Sequence, residues 1–342
     1  MSKNINYDNN NYFCYIGAFS DEDYKAFSLI LDTQTAIMLE RFYYNPQKLK
    51  NDVNVAITDF LLETINKDKV PGFAMQESCW DRSLASINSP QFNRLEKALN
   101  DMNSWDRDKI INHSKSNGIP FNDFVMREKV SFTETMIPHL KSNPMLLGSY
   151  VIMLKIHLLN FKKSKMDKFK LFREFADFMN QDIKIFHAVE FSLAVDYFLG
   201  NSNKADNVQS LLKFGSKDPL GAILTSCWDL FFLRFLQLSF MNNMGGIIKP
   251  KLVSRDDALI NLAMYSSIHG LIEVNDTPMP IVSFDHEGLN ITTMNFLDGI
   301  QSEIRNSVVS RSQAFIGDIE GQAEKITQIA IQLELELLSK IK

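Results

Sequence analysis

The chain has 342 residues, 45% of them hydrophobic, with 26 Phe and 15 Met against 23% charged residues, so it can bury a large core and is not a disordered polymer. Its formal charge of −5 excludes a global basic field of the kind that drives nonspecific nucleic-acid binding, though not a local Lys/Arg patch. Cys14, Cys79 and Cys227 form no CxxC pair, which excludes a zinc ribbon and a thioredoxin-like motif, and their wide spacing fits reduced thiols in the cytoplasm.

In chain order, residues 1–11 are polar and Asn-rich and lack the apolar centre of a signal peptide. Residues 12–19 read as a strand. Residues 27–31 (Phe-Ser-Leu-Ile-Leu) are apolar at nearly every position, the pattern of a parallel strand covered on both faces, and Asp32 follows at once. Val55, Ile57, Phe60, Leu61 and Ile65 recur at helical spacing over 54–65. Pro71-Gly72 breaks the chain, and 73–87 reads as the next helix.

From 122 to about 212 the patterning is helical, interrupted at Pro138, Asn143-Pro144, 162–165 and 201–203, and the block closes at 215–219. Its one basic run is Lys162, Lys163, Lys165, Lys168 and Lys170, either a solvated face or a phosphate-tracking surface. Residues 220–241 read as a buried helix, because Asp229 and Arg234 argue against a membrane span. A loop holds Met244-Gly245-Gly246 and Pro250, and a helix is expected over 257–269. Residues 280–284 (Pro-Ile-Val-Ser-Phe) read as a second buried strand, followed by Asp285. Residues 296–342 read as amphipathic helix, with Gly317 and Gly321 as breaks. These elements describe an α/β fold: one domain with a small parallel sheet, helices on both faces and a large helical insertion.

Ligands of open parallel sheets bind beyond the carboxyl ends of the strands. Asp32 and Asp285 both stand there. Two such carboxylates repel each other unless a cation neutralises them, and Mg²⁺ or Mn²⁺ prefers oxygen ligands. Glu77 sits among apolar neighbours, where a carboxylate is costly without a partner. Asp229 interrupts the most apolar helix. Asp256 and Asp257 open a helix, where capping accounts for at least one of them. For each acid the structural alternative is plain: caps for Asp32 and Asp285, an ion pair with Arg82 or a later Arg for Glu77, and Arg234 for Asp229. The six histidines show no HxxxH spacing, and no Walker loop or GxGxxG is present.

The order of these acids resembles the PIN family of nucleases, the fold of VapC-type toxins. Asp32-Thr33-Gln34 matches the family's first element, with Gln in place of the usual Asn. Glu77 matches the second, Asp229 or Asp257 (in Asp-Ala-Leu-Ile-Asn-Leu-Ala) the third, and 281–285 the last. The likeness covers 27–82 and about 220–290 as the two halves of the core, leaving 122–215 as an insertion and 296–342 as C-terminal helices. It implies a Mg²⁺- or Mn²⁺-dependent endonuclease cutting phosphodiester bonds, in RNA more often than DNA, in a toxin or defence setting with a protein inhibitor or partner. Asp32 and Asp285 would be direct ligands, Glu77 with Asp229 or Asp257 would complete the site, and Thr33 and Ser283 would hold hydrogen bonds around it. The contrasting expectation is a noncatalytic helical interaction protein whose acids are caps and buried ion pairs.

Overall fold

A computed structural model describes residues 5–6, 13–17, 27–81, 86–120, 136–141, 143–200, 205–242, 246–264, 266–274, 277–284 and 288–341. The chain divides into two compact units, Met1–Lys129 with Phe232–Ser283, and Val130–Phe231 with Phe284–Lys342.

The first unit is α/β. Its elements run β1 (Ile5–Asn6), β2 (Cys14–Ile16), β3 (Ser28–Leu31), α1 (Thr33–Tyr44), α2 (Asn51–Glu63), β4 (Asp68–Val70), α3 (Gly72–Ser78), β5 (Trp80–Asp81), β6 (Ser86–Ile87), α4 (Ser89–Asn103) and α5 (Arg107–Ser114). The second begins with α6 (Ile137–Leu140), α7 (Pro144–Asn160), α8 (Lys168–Asp177), α9 (Ala188–Phe198) and α10 (Ala205–Leu212). Helix α11 (Pro219–Asn242) passes from it into the first unit, followed by β7 (Lys251–Ser254), α12 (Asp257–Met264), β8 (Ser266–Val274) and β9 (Thr277–Phe284). The helices α13 (Ile291–Asn306), α14 (Val308–Gly317) and α15 (Ile319–Ile341) complete the second unit.

The main sheet has the order β1-β2-β7-β3-β4. β3 lies parallel to β4 and β7, while β2 runs antiparallel to β7 and β1 antiparallel to β2. The sheet is therefore mixed rather than parallel throughout. All four residues of β3 are buried, as a central strand requires. Helix α1 starts at once because Asp32 caps it, and it buries Ala36, Leu39 and Tyr43 at i, i+3 and i+7.

Three sequence expectations change here. The strand over 280–284 forms within β9, but β9 pairs with β8 in a separate two-stranded sheet, so it is not the neighbour of β3. The helix read over 73–87 stops at Ser78, and the backbone returns as the β5–β6 pair, with Trp80 opposite Ile87. The helix expected over 257–269 stops at Met264, and β8 follows. Gly270 and the β-branched Ile268 and Ile272 all disfavour helical continuation there.

In the second unit α7 is buried on every side from Leu146 to Leu154, which makes it the central helix rather than an amphipathic one. Helix α15 packs against it. Tyr150 Oη donates to the buried Glu334 at 2.8 Å, and Glu334 also accepts from the Met136 amide at 3.1 Å. Phe172, Phe175, Phe191 and Phe296 make a ring cluster between α8, α9 and α13. By length and composition Pro219–Ser239 could cross a membrane, yet most of that stretch is buried within the fold. Cys14, Cys79 and Cys227 are all buried and none is in a disulfide.

Candidate functional site

The carboxyl ends of β3 and β7 lie side by side, with Leu31 in register with Val253. The Asp32 amide continues that pairing by donating to the Val253 carbonyl at 3.1 Å. Ser254 is thereby set against Asp32, and its fully buried hydroxyl donates to Asp32 Oδ2. The other oxygen, Oδ1, accepts from the Thr35 amide at 2.6 Å. Thr35 is pinned in turn, its hydroxyl donating to the Val253 carbonyl at 3.2 Å.

Asp32 is only 5% exposed, and no lysine or arginine among the described residues pairs with it. Burial pushes its carboxyl up from the usual carboxylate range. The bonds from Ser254 and Thr35 oppose that shift, and the nearby charge of Asp256 adds to it.

Three further acids follow from the elements around Asp32: Glu77 from α3, and Asp256 and Asp257 from the junction of β7 and α12. Glu77, near the end of α3, accepts a short hydrogen bond from the Thr33 hydroxyl, one residue past Asp32. Asp256 follows β7, where its amide donates to Ser254 Oγ at 3.0 Å. Its Oδ1 caps α12 through the Ala258 and Leu259 amides at 2.9 and 3.0 Å. With Asp256 as the cap, Asp257 is left exposed at the head of α12. Its charge reaches Cys14, which pairs with Ser254 across β2–β7; burial raises the Cys14 thiol first, and Asp257 raises it further.

Asp32, Glu77 and Asp257 thus belong to the first unit, whereas Asp229 does not. Asp229 sits in the helical unit in an ion pair with Lys213, whose ammonium is 2.8 Å away. Asp285 lies outside the described residues, as do Arg82 and the side chain of Ser283. Among the described residues, no group of three His, Cys, Asp or Glu side chains is disposed to hold a metal ion. No family model, characterised protein or solved structure matches this chain.

Sequence reasoning missed Ser254 and the proximity of Asp256, because it read no strand at 251–254. The available signal was the pair Leu252-Val253 followed by Ser254-Arg255-Asp256, an apolar run ending in helix-cap residues.

Proposed function

We propose that this chain is a PIN-like, divalent-metal-dependent endonuclease that cuts phosphodiester bonds, RNA ahead of DNA, with Asp32, Glu77 and Asp257 as its acids. The observation that carries the reading is the juxtaposition of Asp32 with Asp256-Asp257 at the ends of two adjacent parallel strands, with Glu77 joined to the same edge through Thr33. Parallel α/β sheets place ligands at that position.

The donor set suits Mg²⁺ or Mn²⁺. It is hard oxygen throughout, and Asp32 carries an ionisation penalty from burial with no lysine or arginine among the described residues to relieve it. A divalent ion there would supply charge to a phosphoryl oxygen and acidify water. The chain's own part is orientation. Ser254 and Thr35 fix the Asp32 carboxylate, Thr33 fixes Glu77, and Asp256 takes up the capping duty and leaves Asp257 open to solvent.

A second reading, that of a noncatalytic interaction protein, is favoured by one observation. Asp32 and Asp256 are both working helix caps, and Asp229 is ion-paired. A Mn²⁺-dependent cleavage assay on mixed RNA and single-stranded DNA, native chain against Asp32→Asn, separates the two. The nuclease reading predicts cleavage by the native chain and none by the variant. Equal activity in both removes Asp32 from the mechanism, and inactivity of the native chain favours the interaction reading.

A further inference from the structure

The one basic run in the sequence folds into the connection between α7 and α8. Lys162, Lys163 and Lys165 are wound tightly together, with the amides of Lys162 and Lys165 donating to the Leu159 and Lys162 carbonyls, both at 2.9 Å. Two of the five lysines are consumed by the fold. Lys162 pairs with Glu174 at 2.8 Å, and Lys163 donates to the Tyr197 carbonyl while lying over the Tyr197 ring. Lys165, Lys168 and Lys170 are exposed and make no ion pair among the described residues, and the Lys168 ammonium lies 5.2 Å from the centre of its neighbour Phe169's ring.

Their placement is unfavourable on internal grounds. Lys168 and Lys170 stand in the first turn of α8, where the helix end already carries about half a positive charge. The one acid present, Asp167, is engaged as the cap, accepting from the Phe169 and Lys170 amides. Cations stacked on a positive helix end are stabilised by an anion from outside. In the same connection, Phe161 is 42% exposed and Met166 is 37% exposed.

We infer that this turn is a contact surface for single-stranded nucleic acid, with Lys165, Lys168 and Lys170 on successive phosphates and Phe161 offering a ring face to a base. Lysine point charges with an adjacent open aromatic ring are the elements of sequence-tolerant single-strand binding. Phe161 and Met166 each keep more than half their surface covered, so neither stands out as a wedge for a bilayer. The inference rests on the proposed nuclease reading only for why such a polymer is met. Binding is therefore measured without metal, where cleavage plays no part.

The test is fluorescence anisotropy of a labelled oligouridylate in EDTA over a salt series, comparing the native chain with the triple variant Lys165→Gln, Lys168→Gln, Lys170→Gln and a control, Lys48→Gln with Lys50→Gln. Losing three phosphate contacts lowers the slope of log affinity against log salt by about 2, which is about a hundredfold weaker binding at 0.1 M salt. Phe161→Ala should weaken binding without changing the slope. The control should match the native chain. Three outcomes overturn the inference: no binding by the native chain, equal slopes in native and triple variant, or binding only to vesicles containing phosphatidylserine.

Discussion

Replacing Ser254 by alanine tests whether the two strand ends act as one unit. The Ser254 hydroxyl is fully buried and does two jobs, donating to the Asp32 carboxylate and accepting the Asp256 amide at 3.0 Å. A hydrogen bond to a charged group contributes about 1.5–3 kcal/mol, and orphaning a half-buried amide costs about 1 kcal/mol more. Ser254→Ala should therefore destabilise the first unit by about 3 kcal/mol, whereas Ser104→Ala, at an exposed position, should stay within about 0.5 kcal/mol. Hydrogen exchange of the β3, α1 and β7 amides reports that unit separately from the helical one. A loss of about 3 kcal/mol appears there as roughly hundredfold faster exchange, corrected for intrinsic rates.

The pH dependence has a definite sign. The folded Asp32 carboxyl is already raised above its unfolded value, so the fold binds the extra proton, and stability falls as pH rises from the ordinary carboxylate range through the folded value. Ser254 opposes that rise, so its removal extends the window upward. The gap between native and variant, in metal-free buffer, should widen as pH rises through the folded value and narrow below it, where Asp32 is protonated in both. A gap that widens toward acid, or exchange less than about threefold faster, would refute the coupling.

Further expectations follow from the same contacts. Asp229→Asn breaks the partly buried pair with Lys213 and should lower the stability of the helical unit by about 1 kcal/mol, seen as a drop in Tm of about 3 °C, with the cleavage rate unchanged. A lost cleavage rate would return Asp229 to the site. His139 and His157 are held by burial at about 4. The unfolded chain therefore binds more protons between pH 4 and about 6.5, and stability is lost as pH falls through that window, on the order of 3 kcal/mol for each. Thermal melts from pH 4.5 to 7 should show the slope, reduced in His157→Gln. Asp32→Asn keeps a capping oxygen for the Thr35 amide and deletes the titrating carboxyl, so the loss of stability with rising pH that Asp32 causes should disappear from the variant's melts, and an unchanged pH slope would contradict the desolvation argument.

What the sequence showed and what it hid divide along physical lines. The strand before Asp32 was legible because Leu29, Ile30 and Leu31 are buried on both faces and leave a continuous apolar run. The start of α1 and the capping role of one of Asp256 and Asp257 were legible because short acidic side chains at a helix entrance satisfy open amides. β4 and β7 were not legible. β4 is the polar edge strand Asp68-Lys69-Val70, and β7 has only Leu252 and Val253 as apolar residues. Four residues or fewer carry no periodicity, and only pairing with sheet neighbours makes them strands. The mistaken partner for β3 follows from that gap. β9 had the more apolar sequence, but sheet neighbours are chosen by long-range packing that a local pattern does not encode. Asp229 was recognised as needing a partner, yet Lys213, in the turn just past α10, is invisible to spacing within one helix.

Under the proposed nuclease reading, acids contributed by separate elements at the ends of β3 and β7 serve one cation. Calorimetric titration of Mn²⁺ into the native protein, Asp32→Asn and Asp257→Asn measures this without any substrate. One saturable site in the native chain, lost or severely weakened in each variant, is the predicted result. Heats that match in all three proteins would mean that these carboxylates are helix caps and surface charge, and nothing more.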